Sequence, residues 1–106
     1  MDSMDYSRSD RLSDHIRTEV SLILKSEVKD PRLNGLTVTR VEVSKNLKKA
    51  YIYYSSSNSF NATDSTDTNK GLQKATGFIR KLLGQRIKIK RIPEICFEVD
   101  RSEDLL

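Results

Sequence analysis

Cysteine is almost missing from this chain, and Cys96 alone cannot form an intramolecular disulfide, so no oxidising compartment is indicated. Long apolar runs are missing too: the longest cluster, Val20 to Leu24, is interrupted by Ser21 and falls far short of a membrane span. The opening MDSMDYSRSD carries acids where a targeting peptide would carry bases, and no apolar stretch follows it. A cytoplasmic protein without a membrane partner is expected. Asn61-Ala62-Thr63 fits the glycosylation sequon, which has meaning only in a secreted chain and is read as chance.

The parts of an active site are equally scarce. One histidine, His15, and one cysteine, far apart, do not make a zinc site from the usual ligands. Neither GxxxxGK[ST] nor GxGxxG has a match, and Gly71, Gly77 and Gly84 are not spaced to cradle a phosphate. Ser13, Asp14 and His15 are consecutive, but neighbours on a helix point about 100° apart and cannot converge on one substrate. Glu94, Glu98 and Asp100 would share a strand face and could hold a divalent cation, although solvated charges balancing nearby bases are the commoner use of such a pattern. No enzyme, cofactor, metal or small-molecule substrate is expected.

What remains is the pattern of one small α+β domain spanning 1–106, with 36% hydrophobic residues to build a single core. Asp10 can cap a helix whose apolar face is Leu12, Ile16, Val20 and Ile23, widened by Leu24. That helix should fade near Lys29, because Pro31 disfavours the α conformation at Asp30, and Asn34-Gly35 supplies a turn. Two β-rich runs follow: Leu36 to Ser44, then a second in which Ala50, Ile52 and Tyr54 share one face and Tyr51 and Tyr53 the other. Lys45 to Lys49 reads as their hairpin loop. The polar stretch 55–68 reads as a flexible loop, as do the N-terminal residues 1–9 and a short tail, 101–106. Helical periodicity resumes at Leu72, Ala75, Ile79, Leu82, Leu83 and Ile87, with Gly77 in mid-run predicting a kink or two helices end to end. A last strand after Pro93 alternates Ile95, Phe97 and Val99 with Glu94, Cys96 and Glu98. The order is α-β-β-α-α-β, a three-stranded sheet with helices packed on one face.

A net charge of +4 and a pI near 9.3 permit an anionic partner, and the placement of the charge says more. Lys70, Lys74, Arg80, Lys81, Arg86, Lys88, Lys90 and Arg91 follow one another with no acid between Lys70 and Arg91. A solvated helix face is the bland reading, but such a face is usually laced with i to i+4 acid-base pairs, which cannot form inside this segment. A cationic surface of this kind binds nucleic-acid phosphates and loses affinity as salt is added. Lys45, Lys48 and Lys49 form either a second patch or ordinary hairpin charges. Tyr51, Tyr53 and Phe78 are the aromatics that could hold a base, with core packing the expected place for Phe78. The same field could serve an anionic membrane or an acidic protein, and the late acids leave a metal-dependent nuclease as a third reading.

Asp30-Pro31-Arg32-Leu33, Val41-Glu42-Val43-Ser44, Ala75-Thr76-Gly77-Phe78-Ile79-Arg80, Ile92-Pro93-Glu94-Ile95-Cys96-Phe97 and Asp100 together resemble the bacterial ribosome-binding factor A family, in order, from about Arg11 to Asp100. The resemblance implies a type II KH-like fold in which a helix kink at Ala75, Thr76 and Gly77 replaces the usual GxxG loop. It implies a non-enzymatic ribosome assembly factor that binds the small ribosomal subunit and its ribosomal RNA. Such factors assist late maturation, including near the 5′ end, often with a requirement for growth in the cold. The RNA contacts it implies are the bases around the kink, led by Arg80 and Lys81. A monomer is expected.

Overall fold

The computed structural model describes residues 6–56 and 62–101. Helix α1 spans Arg8–Ser26 and is capped by Ser7. Ser7 Oγ accepts from the Asp10 amide at 3.2 Å, and Asp10 Oδ2 accepts from the Ser7 amide at 3.0 Å. This reciprocal pair satisfies two amides that a helix start leaves without partners. The expected cap at Asp10 is therefore corrected by three residues, and Arg8 and Ser9, assigned to a flexible end, are helical. Ile16, Val20 and Ile23 are fully buried, as their spacing requires.

Beyond α1, Asp30 caps a single 3-10 turn, Pro31–Leu33. Gly35 then takes φ 81°, a left-handed conformation that turns the chain into the sheet at little steric cost. Strand β1, Leu36–Val43, pairs antiparallel with β2, Lys49–Ser56, and β2 pairs parallel with β3, Glu94–Val99. The sheet order is β1-β2-β3. A bulge between Val38 and Arg40 shifts the register, so Val38 and Val41 both reach the core although they are three residues apart. On β2 the alternation is clean: Ala50, Ile52 and Tyr54 are buried while Tyr51 and Tyr53 stay partly exposed.

Helix α2 runs unbroken over Ala62–Arg86, which corrects two expectations. The break into two helices at Ala75-Thr76-Gly77 is absent. Gly77 faces solvent with no atom within 4 Å of where a Cβ would stand, so its helical cost of about 1 kcal/mol is borne between the buried anchors Leu72, Ile79 and Leu83. Thr76 also returns its hydroxyl to the Leu72 carbonyl at 2.7 Å. The expected loop 55–68 is likewise reassigned: Ser55 and Ser56 end β2, 57–61 lie outside the described residues, and Ala62 to Thr68 form the first turns of α2. A docking contact holds that end of the helix. Gly71 packs so closely on the 3-10 turn that an added Cβ would meet Leu33 Cδ2 at 3.1 Å, and Thr68 Oγ1 donates to the Arg32 carbonyl at 3.2 Å. Of the predicted tail, Arg101 is described and 102–106 lie outside the described residues.

Both helices cover the same sheet face. Ile16, Val20 and Ile23 of α1 and Ile79 and Leu83 of α2 share one core with Val41, Ile52 and Ile95. At about 25 cal/mol per Å² of apolar surface removed from water, each such side chain contributes about 1.5–3 kcal/mol. One hydroxyl ties the layers together: Ser13, buried on α1, donates to the Ser9 carbonyl at 2.7 Å and accepts from the Val43 amide of β1 at 2.9 Å.

Candidate nucleic-acid interface

The acid-free segment divides into three groups once folded. Lys70, Lys74, Gly77 and Lys81 fall within about 60° of one another around α2, at 3.6 residues per turn, and all four are exposed. Lys74 lies close enough to Asp30 to help keep that carboxyl ionised. Arg86 is about 140° around the helix from Lys81. There its guanidinium meets Glu19 at 3.2 Å and Glu27 at 3.6 Å, both on the α1 side. Arg86 is thus largely neutralised by acids far away in sequence.

The third group surrounds the point where α2 passes the connection into β3. Gly77, Arg80, Lys81, Lys90, Arg91 and Ile92 line one concavity. Arg80 builds it: Nη2 donates to the Ile92 carbonyl at 2.7 Å and Nε to the Pro93 carbonyl at 3.2 Å. These bonds pin the connection against α2 and set Lys90 and Arg91 beside Lys81. Arg80 is therefore as much a structural brace as a charge, and reversing it would disturb the loop as well as the field. Among the described residues, Lys81, Lys88, Lys90 and Arg91 make no side-chain ion pair.

An adjoining cleft of about 550 Å³ carries the surface onward, lined by Arg80, Lys90 and Arg91 together with Asn46, Leu47 and Lys48 of the hairpin and Arg8 and Leu12 of α1. Of the three hairpin lysines only Lys48 joins it. Lys45 is exposed in the turn, and Lys49 stands in register with Glu94 on β3. The hairpin is fixed by its own bonds: Leu47 N–H to the Ser44 carbonyl at 2.8 Å, Lys48 N–H to Asn46 Oδ1 at 3.0 Å, and Lys49 N–H to Ser44 Oγ at 3.0 Å. The Lys48 carbonyl then accepts from the Glu94 amide at 2.8 Å, holding the turn against the start of β3. Arg8 and Arg11, which sequence reasoning passed over, edge a third concavity with Leu12, Leu47, Lys88 and Ile89.

The aromatics behave differently from expectation. Phe78 is 46% exposed rather than packed in the core, since its helical phase lies well away from that of Leu72, Ile79 and Leu83. Tyr53 is covered by the Arg40 guanidinium at 3.8 Å from its ring centre, and it lies on the sheet face away from the helices. The late acids are not gathered: Asp100 accepts from Thr39 Oγ1 at 2.5 Å, and among the described residues no cluster of His, Cys, Asp and Glu could hold a metal ion. Nor, among those residues, is any helix long and apolar enough to cross a membrane.

Comparison with known proteins agrees with this architecture. The family model described as ribosome-binding factor A matches residues 8–105. Ribosome-binding factor A of Pediococcus pentosaceus is 50% identical over 95 residues, covering 90% of this chain and 81% of that protein. The crystal structure of ribosome-binding factor A from Thermus thermophilus superposes with a TM-score of 0.78 at 21% identity, over 89% of this chain and 97% of that one. A homology model of the Thermus thermophilus factor, fitted into a cryo-EM map of its 30S complex, gives 0.70 at 22% identity, over 86% and 93%. At these identities the structures speak for the fold, while the family match and the close relative establish kinship. The chain belongs to the ribosome-binding factor A family.

Proposed function

We propose that this chain is a non-enzymatic assembly factor that docks on the small ribosomal subunit through its ribosomal RNA. The observation that carries the reading is the gathering of Lys81, Lys90 and Arg91, unpaired among the described residues, around the concavity braced by Arg80. Each phosphate neutralised there releases condensed counterion, which provides affinity without requiring a base-specific contact. Lys70 and Lys74 extend the contact about 16 Å along α2, at 1.5 Å rise per residue. Exposed Gly77 lets a sugar-phosphate backbone approach the helix between Lys74 and Lys81. The relative seen on 30S supports this choice of partner. We read α2 as the fused counterpart of the two central helices of a type II KH domain, with Gly77 where the GxxG loop would stand.

Acting by binding alone, the protein shifts the RNA between conformations only as far as its affinities for them differ. It holds a late precursor, including the region of the 5′ end, in the form that matures, and it works in the cytoplasm as a monomer. Co-sedimentation tests this. The chain should pellet with isolated small subunits, lose that association as salt rises, and pellet far less with assembled ribosomes or with anionic vesicles. Equal binding to vesicles, or binding to subunits that salt does not weaken, would refute the reading.

A further inference from the structure

We infer that the groove between the C-terminal half of α1 and the outer edge of β1 accepts an extended segment of a partner protein as a fourth strand. On its helix-facing side that segment carries an aliphatic side chain and a carboxylate. The groove shares no lining residue with the cationic concavities, so this contact is separate from the RNA-binding reading above and does not rest on it.

Strand β1 lies at the edge of the sheet, and the direction of its free amides follows from bonds on the far side of β2. The Tyr54 carbonyl accepts from the Asp100 amide at 2.7 Å, so the Tyr54 backbone faces β3. Val38 stands opposite Tyr54. Opposed residues of an antiparallel pair either bond each other or both point away, so Val38 turns its amide and carbonyl outward. Val43, opposite Ala50, does the same, and there the Ser13 hydroxyl of α1 accepts its amide at 2.9 Å. The Val38 amide has no such cap among the described residues. Edge strands are ordinarily blunted by a covering element or by charge. Here α1 covers the edge at Val43 and leaves it open at Val38.

The opening suits a side chain as well as a backbone. It is a concavity of about 500 Å³, lined by Leu24 and Val28 of α1, Leu33 of the 3-10 turn, and Leu36 and Val38 of β1. Leu24, Val28 and Leu36 are only partly buried, so apolar surface is left for a further side chain to cover. Lys25 also lines it, exposed and without a side-chain ion pair among the described residues. Asp30, the one acid there, is already held by Arg32. An added strand supplies the complement: its backbone continues the ladder at Val38, and alternate side chains give the specificity. Side chains two residues apart share a face, so an aliphatic group in the apolar lining sets a carboxylate toward Lys25. A sugar-phosphate chain lacks the alternating donors and acceptors that would continue the ladder.

Amide hydrogen exchange of the full chain tests this, with a capped peptide of sequence valine-threonine-glutamate-threonine-valine as the probe. At about 1 mM peptide, exchange of the Val38 amide should slow about threefold, while that of Val43, already capped by Ser13, stays the same. Two counterparts are N-methylated, one at the valines and glutamate and the other at the threonines. Just one of them should still protect Val38, because only alternate amides of a strand face its neighbour. With lysine in place of the glutamate, the peptide should bind wild type about threefold more weakly, and Lys25→Glu should reverse that preference. Lys25 is exposed, so its replacement leaves the fold intact. No slowing at Val38, the same result from both methylated peptides, or an unreversed preference in Lys25→Glu would overturn the site. Equal protection of Val38 by oligouridylate would overturn it as well, by assigning the groove to nucleic acid.

Discussion

Arginines and lysines at two regions of this molecule meet opposite fates. On the 3-10 turn, on β1 and at the far end of α2 three arginines are engaged: Arg32 grips Asp30 with Nε and Nη2, the latter at 2.7 Å. Arg40 pairs with Glu42 and lies over Tyr53, and Arg86 spans Glu19 and Glu27. Around Gly77 and the hairpin, Lys81, Lys90, Arg91 and Lys48 have no such partner among the described residues. Positive charge alone therefore does not mark the proposed docking surface. A surface ion pair is worth at most about 1 kcal/mol to the fold, and a cation already paired has little left to offer a phosphate.

The sharpest way to break this contrast is charge reversal on each side of it. Lys81→Glu, Lys90→Glu and Arg91→Glu together should lower affinity for small subunits about 100-fold at low salt, measured by quantitative pelleting. Next in size is the brace: Arg80→Ala frees the Ile92 and Pro93 carbonyls. It should weaken binding about tenfold and lower Tm by about 4–8 °C, for a loss of about 1 kcal/mol in a domain of this size. Arg80→Lys should recover charge without the two-point grip, and so only part of the affinity.

Asp30 gives a smaller, pH-dependent effect. Hydrogen bonds from the Arg32 side chain and then its backbone amide hold the Asp30 carboxyl at about 2, below its usual 3.8. A depressed pKa stabilises the fold above the unfolded value, and that stabilisation is lost as pH falls through the folded one. The melting advantage of the wild-type chain over Asp30→Asn should therefore be full above about pH 4 and shrink toward pH 2, while subunit binding at neutral pH is unchanged. Smallest of all, Arg40→Ala should alter subunit affinity less than about twofold, because its charge is already satisfied by Glu42.

Short-range pattern made much of the fold legible in advance. The buried face of α1, the alternation of β2 and the start of β3 after Pro93 follow from residues within a few positions of one another. The cap at Ser7 was also within reach, since Ser7 and Asp10 have capping-box spacing. So was the exposure of Phe78, whose phase on the helix differs from that of Ile79. Other features were hidden because they depend on contacts made only by folding. The polar start of α2 has no apolar period of its own, and it seats through Thr68, Gly71 and Leu72 on a turn formed much earlier in the chain. Arg86 looked as available as Lys81 until α1 brought Glu19 across 67 positions. Arg8 and Arg11 entered the cleft by the same long-range route. The basic segment was visible as composition, whereas its division into engaged and unengaged cations required the fold.

The most direct test of that division is the salt dependence of small-subunit binding for three chains: wild type, Lys81→Ala/Lys90→Ala/Arg91→Ala, and Arg32→Ala/Arg40→Ala/Arg86→Ala. Each triple removes the same formal charge. The account predicts that the first flattens the slope of log K against log salt by about 2–3, at about 0.7–0.9 per lost phosphate contact, while the second leaves it within about 0.5 of wild type. Equal flattening by both would show that net charge, not pairing, governs docking, and would contradict it.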